Sequence, residues 1–267
     1  MTVDRRWQLS LRVVALTYLG ALLFVPVGLI FYRTFEHGFA AVWESITTPA
    51  AIHAFQLTLE VTIIAVPLNT LFGIVMAIAL ARGRWRGKGL VNAFIDLPFA
   101  VSPIVIGLSL VLVYGVHGWF GGALANAGIQ VIFSVPGIVL ATIFVSLPFV
   151  VREVTPVLKE IGDDQEQAAA TLGAGAWTTF RRVTLPAIRW GVAYGVVLCT
   201  ARVLGEFGAV SIVSGHITGE TQTLPLFVEK NYENFNLPGA FGAAVLLALL
   251  ALVVLMAMNL LKRKEAA

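Results

Sequence analysis

The chain is short of charge and nearly devoid of cysteine, and each shortage excludes a class of protein. Of its 267 residues only 12% are Asp, Glu, Lys or Arg, about half the share of an ordinary soluble domain. Against that stand 58% hydrophobic residues and a mean hydropathy of +0.87. One water-soluble core cannot absorb that much apolar surface, because cores stop growing at about this size. The single cysteine, Cys199, excludes an intrachain disulfide and any Cys-x-x-Cys metal or redox centre. Set in an apolar run, it reads as a small packed hydrophobe. His37, His53, His117 and His216 lack ligand spacing, and no nucleophile–base set stands out, so neither a metal centre nor an enzyme is expected. The net charge of +3 does not mark a nucleic-acid binder either, because the basic residues form short clusters between apolar runs rather than one continuous face.

What the chain has is long apolar runs. Six stretches approach or exceed the roughly 20 residues a bilayer demands: Leu11–Tyr32, Phe55–Arg82, Leu90–Val116, Val131–Val151, Pro186–Ser214 and Pro238–Leu261. The first is too long for a cleavable signal and ends in Phe31-Tyr32-Arg33 rather than small residues, so it reads as a retained helix. Pro26, Pro67, Pro98, Pro103 and Pro136 fall inside or beside the runs and predict kinks, above all in the third. The expected fold is an all-α integral membrane bundle of about six spans, forming one domain over residues 1–267.

Orientation follows from the basic residues flanking the spans. One set of loops carries Arg5, Arg6 and Arg12, then Arg82, Arg84, Arg86 and Lys88, then Arg152, Lys159, Arg181, Arg182 and Arg189, then Lys262, Arg263 and Lys264. Arg33 and Lys230 fall on the other side, and Arg202 lies inside the fifth span. Both termini are therefore expected in the cytoplasm. The segment Leu224-Pro225-Leu226-Phe227 in the last outer loop suits either the membrane interface or the footprint of a partner. Gly83-Arg84-Trp85-Arg86-Gly87-Lys88-Gly89 is no phosphate-binding loop: its spacing is short, no Ser or Thr follows the Lys, and a spanning helix precedes it.

The inner loop between the fourth and fifth spans, Arg152 to Leu185, is the most informative segment. Asp163, Asp164 and Glu166 suit a helix N-terminus, Ala168-Ala169-Ala170 favours helix, and Gly173 can end it in a left-handed cap. A second short helix is expected from Ala176, with Pro186 opening the fifth span as a first-turn proline. Ala168, Ala169 and Leu172 share one low-profile face, which suits either a groove on another protein or packing on the chain's own bundle.

These residues resemble the cytoplasmic signature of ABC importer permeases: Glu-Ala-Ala, three residues, Gly, nine residues, an aliphatic residue, one residue, Leu-Pro. Here Gln167-Ala168-Ala169, Gly173, Val183, Leu185 and Pro186 stand at that spacing. The departure is Gln167 in place of Glu, with Glu166 one position earlier; that moves the carboxylate about 100° around the helix. The resemblance implies a type I importer permease whose loop, about residues 160–180, holds a coupling helix docking into a separate ATPase through Glu166, Gln167, Ala168, Ala169, Leu172, Gly173, Val183, Leu185 and Pro186. ATP and magnesium would be used by that partner, with no cofactor bound by this chain.

Asp96-Leu97-Pro98-Phe99-Ala100-Val101-Ser102-Pro103, Leu147-Pro148-Phe149-Val150-Val151-Arg152-Glu153, Ala201 to Gly215 and Thr223 to Lys230 resemble the oxyanion branch of these importers, and within it the CysW-type subunits of sulfate/thiosulfate permeases. That implies a heterodimer with a second homologous permease, two copies of a cytoplasmic ATPase and an extracytoplasmic sulfate-binding protein. The same machine carrying molybdate or tungstate is the alternative, and a gradient-driven secondary transporter a more distant one. A dianion needs a path of partial positive charge without a tight trap; Ser102, Pro103, Ser211 and Ser214 are candidates of that kind. Arg202 and Glu206, one turn apart, read either as a structural or gating ion pair or as a direct part of the path. Glu60 and Asp96 read as structural or interfacial.

Overall fold

The computed structural model describes residues 5–36 and 38–265, with side chains over 11–36 and 38–256. Asp4 and His37 lie outside the described residues, as do the side chains of Arg5, Arg6, Lys262, Arg263 and Lys264. Every regular element among the described residues is helical. The first half of the chain forms α1 (Arg5–Phe35), α2 (Phe39–Ile46), α3 (Pro49–Arg82), α4 (Lys88–Ala100), α5 (Pro103–Tyr114) and α6 (Gly121–Asn126). The second half forms α7 (Val135–Ile161), α8 (Asp164–Thr171), α9 (Ala176–Thr179), a π-turn (Phe180–Thr184), α10 (Leu185–Leu204), α11 (Gly208–Val213), α12 (Leu224–Glu233) and α13 (Leu237–Glu265).

Five helices are long and apolar enough to cross a membrane, and α4 with α5 makes a sixth if that bent pair is one span. The apolar sequence explains why so many large hydrophobic side chains stand open on α1, α3 and α13. Such a surface requires hydrocarbon or another chain, not water.

Helix α7 is the centre, packed against α3 and α10. Small residues allow the approach: a Cβ placed on Gly73 of α3 would sit 2.6 Å from the Val150 side chain, and one on Gly195 of α10 would sit 2.9 Å from the Val150 backbone. Close backbone contact is the main source of cohesion between helices that gain no hydrophobic drive from lipid. Asn69, fully buried on α3, adds polar glue: its Nδ2 donates to the Ile143 carbonyl at 3.2 Å and to Ser146 Oγ at 2.7 Å. Cys199 is fully buried beside this pair, the packed hydrophobe expected.

Several boundaries differ from those read in the sequence. The fourth span runs on to Ile161, so Arg152 sits inside α7 and not in a loop; helix propagation past one arginine costs little when the residue finds a partner. The fifth span breaks at Gly205-Glu206-Phe207, and α11 continues separately to Val213. Pro186 stands in the first turn of α10, as expected. The chain is helical without interruption from Ala176 to Leu204, and the π-turn before Pro186, in which Leu185 N–H reaches the Phe180 carbonyl, absorbs the N–H that proline lacks. In the Leu224–Phe227 segment, Leu224, Leu226 and Phe227 are buried in α12, which packs on α13 and α3. The predicted kink in the third span is a 113° bend at Val101–Ser102.

Candidate functional site

Two regions carry polar groups that an apolar bundle would not hold without purpose: the α7–α10 loop and the broken helices around Ser102 and Glu206.

The loop is built as the spacing predicts. Helix α8 starts with Asp164 and Glu166 in its first turn. It ends in a six-residue cap in which Ala174 N–H reaches the Ala169 carbonyl and Gly173 N–H the Ala170 carbonyl, both at 3.0 Å. That pairing requires a left-handed residue at its apex, and Gly173 has φ +83°. A Cβ there would meet nothing within 4 Å, so the position is open on the outside. Gln167, Ala168 and Leu172 face outward and Leu172 is 89% exposed, while Ala169 is half-buried. Trp177 at the start of α9 is also exposed. Val183 belongs to the π-turn and Leu185 and Pro186 to the first turn of α10, with Pro186 exposed and Val183 and Leu185 half-buried.

Glu166 points the other way. Its Oε2 accepts from Arg82 Nε at 2.9 Å and its Oε1 from the Thr184 hydroxyl at 2.8 Å. Arg82, the last residue of α3, also donates through Nη1 to the Leu158 carbonyl at 2.8 Å and through Nη2 to the Gly162 carbonyl at 2.5 Å. One guanidinium thus ties the ends of α3 and α7 to α8, and Glu166 adds the π-turn. Sequence reasoning counted Arg82 only as a flanking positive charge. No local pattern marks a partner 84 positions away.

At the other region the two breaks face each other. A Cβ on Gly208 would come 2.8 Å from Pro103 Cβ, and one on Gly107 would come 2.8 Å from the Ala209 carbonyl. Ser102 stands exposed at the bend, with no side-chain cap onto α5. Ser211 is half-buried, its hydroxyl donating to the Gly208 carbonyl at 2.8 Å. Ser214 is fully buried and accepts the His216 N–H at 3.2 Å. Of the serines expected along an anion path, Ser102 is exposed, Ser211 half-buried and Ser214 buried.

Arg202 and Glu206 form an ion pair at 2.5 Å, with the Glu206 side chain 2% exposed. Glu206 Oε1 also accepts the Ala209 N–H at 2.9 Å, capping α11 across the break. The pair therefore closes the α10–α11 corner. Arg202→Ala strands a buried carboxylate, a loss of about 3–5 kcal/mol, and is expected to cut the yield of folded protein sharply. Arg202→Gln combined with Glu206→Gln is expected to recover most of it, since the amide still accepts from Ala209. Thermal unfolding of the two purified variants checks this; a double variant no more stable than Arg202→Ala would assign Arg202 a role outside the pair.

A second arginine–carboxylate pair links α4 to α7: Arg152 Nε donates to Asp96 Oδ1 at 2.7 Å, and Nη2 to Oδ2. Among the described residues no group of His, Cys, Asp and Glu could hold a metal ion.

Comparison with known proteins agrees with this architecture. Residues 69–266 match the family described as binding-protein-dependent transport system inner membrane component. The chain is 51% identical over 250 residues to the sulfate transport system permease protein CysW of Synechocystis sp., covering 94% of this chain and 91% of that one. It is 36% identical over 250 residues to the sulfate transport system permease protein CysT of Escherichia coli, covering 94% and 90%. Its fold matches that of a bacterial ABC transporter involved in the import of the acidic polysaccharide alginate, with a TM-score of 0.80, 20% identity, and 97% and 96% of the two chains covered.

Proposed function

The chain belongs to the binding-protein-dependent transport system inner membrane components, and from that premise we propose that it is the CysW-type permease subunit of an ABC importer that carries sulfate, with thiosulfate as a second substrate. The observation that carries the mechanical half of this reading is α8. A small-faced helix with an open glycine apex projects from the bundle and is fastened to α3 by Arg82. Such a helix can transmit the closing of a separate ATPase to the spanning helices as a rigid-body movement. The near full-length similarity to CysW of Synechocystis sp. supports the substrate.

In this reading the subunit does no chemistry. It pairs with a CysT-like sister permease to which it is itself related. Two ATPase copies grip the two coupling helices and use ATP and magnesium, and an extracytoplasmic binding protein delivers the anion. Both termini and α8 lie in the cytoplasm, as the distribution of Lys and Arg indicates. The exposed faces of α1 and α13 meet lipid or the sister subunit.

Labelled sulfate uptake into proteoliposomes that hold the four kinds of component tests the reading. Uptake is expected to require ATP and the binding protein and to survive excess molybdate. Full displacement by molybdate would transfer the assignment to the molybdate/tungstate branch. Uptake at full rate without the ATPase would make the chain a gradient-driven carrier.

A further inference from the structure

Arg152 and Asp96 are set where neither lipid nor a folded core explains them. Arg152 stands nine residues before the end of α7 and Asp96 eight residues after the start of α4. At 1.5 Å per residue both lie about 12–14 Å from those helix ends. Their side chains are 35% and 42% exposed, and the exposed residues beside them on α4 are Phe94 and Phe99. Turning an open ion pair toward hydrocarbon is costly, and charged groups on spanning helices face water-filled cavities or other protein. The residues just before Asp96 and Arg152 in the chain, Ile95 and Val151, are buried with Leu80 in one apolar cluster. Glu153 next along α7 faces α10 instead, against Gly191 and Gly195. Asp96 is thus the acid that faces Arg152 among the described residues.

The use of the guanidinium separates this pair from the others. Arg82 spends Nε, Nη1 and Nη2 on groups of its own chain. Arg202 answers a buried carboxylate. Arg152 gives Nε and Nη2 to Asp96, and Nη1 has no hydrogen bond among the described residues. An oxyanion can approach that free edge while the pair is intact, and a dianion can displace the monovalent Asp96 from the rest of the fork.

Resting on the sulfate-importer reading, we propose that Arg152 is an anion-binding residue of the translocation path on the α8 side of the bundle, and that Asp96 is the internal competitor that keeps the anion from being trapped. The site takes a tetrahedral oxyanion. While Asp96 holds the guanidinium, α4 is tied to α7; when the anion takes the guanidinium, α4 is released at the bend that leads into α5. Occupancy and movement of the broken span are thereby linked, and the return of Asp96 expels the anion.

The test uses the whole reconstituted complex, with labelled sulfate binding to the nucleotide-free complex measured beside ATP-driven uptake. Asp96→Asn is expected to tighten sulfate binding by about tenfold, because a charge-assisted competitor has been removed, and to slow uptake through delayed release. Arg152→Gln is expected to abolish that binding and lower uptake at least about tenfold. The double variant should stay at the Arg152→Gln level. A purely structural pair predicts the opposite: Asp96→Asn and Arg152→Gln impair uptake alike, neither changes sulfate binding, and the double variant recovers. Either result overturns the inference. Should Arg152→Gln fail to assemble, Asp96→Asn alone decides, since unchanged or weaker binding rejects competition. Wild-type complex that moves no sulfate rejects the importer reading itself, whereas normal wild-type uptake with the structural pattern rejects only this site.

Discussion

Gly173→Trp is expected to abolish ATP-driven sulfate uptake while leaving the amount of chain in the membrane unchanged. Gly173 has φ +83°, and a side chain there meets nothing of its own chain within 4 Å. The intrachain penalty is therefore conformational only, about 1–2 kcal/mol for an L-residue held left-handed, and falls on a surface cap rather than the core. A protein socket fitted to the glycine apex would meet the whole indole. Overpacking at a fitted contact costs about 1–3 kcal/mol or more, which is about a fivefold to 150-fold loss of docking. Asn tolerates the left-handed region, so Gly173→Asn should keep most of the activity and separates side-chain bulk from backbone strain. Uptake assays and co-purification of the ATPase with each variant check the prediction. Full uptake with Gly173→Trp would mean that no partner closes over this end of α8.

The second large effect is expected at Arg82. Arg82→Met leaves the Glu166 carboxylate and the Leu158 and Gly162 carbonyls without their donor. Hydrogen bonds that involve a charged group are worth about 1.5–3 kcal/mol each, and the orphaned carboxylate adds its own desolvation. Arg82 and Glu166 are 21% and 23% exposed, so solvent repays part of that loss. The bundle, held by the α3–α7–α10 packing, should survive. What fails is the fixed attachment of α8 to α3. ATP hydrolysis should persist while sulfate moved per ATP falls about tenfold, the loss expected from one charge-assisted bond. Arg82→Lys should be intermediate, because an ammonium cannot reproduce the planar fork. An unchanged ratio of sulfate to ATP in Arg82→Met would show that α8 transmits force by another route.

Much of this protein is legible in one dimension because lipid imposes simple rules. Spans must be long and apolar, so the expected starts at Leu90, Pro186 and Pro238 fall within two residues of the starts of α4, α10 and α13. The cap at Gly173 was equally readable, since only a left-handed residue closes that hydrogen-bond pattern. The signature spacing placed the loop, but it left the carboxylate of Glu166 without a destination. In the folded chain Glu166 faces inward to Arg82 while Gln167 faces out, so the one-residue displacement from the signature becomes an internal tether.

Other features had no local signal. Arg152 looked like the start of a loop because charge usually ends a span; it continues a helix because Asp96 neutralises it from 56 residues away. Ser214 looked available on a helix face, yet α11 turns it into the core. The fifth span looked continuous, but Glu206 caps a new helix from within it.

The amino-acid sequence by itself determined the solvent of this protein, its long apolar spanning helices, and the position and cap of the α8 helix. All of these rest on residue type and spacing within a few turns of chain. Only the tertiary structure decided which arginine answers which carboxylate, where the third and fifth spans break against each other, and which polar groups remain open. Those outcomes depend on distances between segments that no local pattern encodes, and in a low-dielectric bundle each charge must find whatever partner the packing brings within reach.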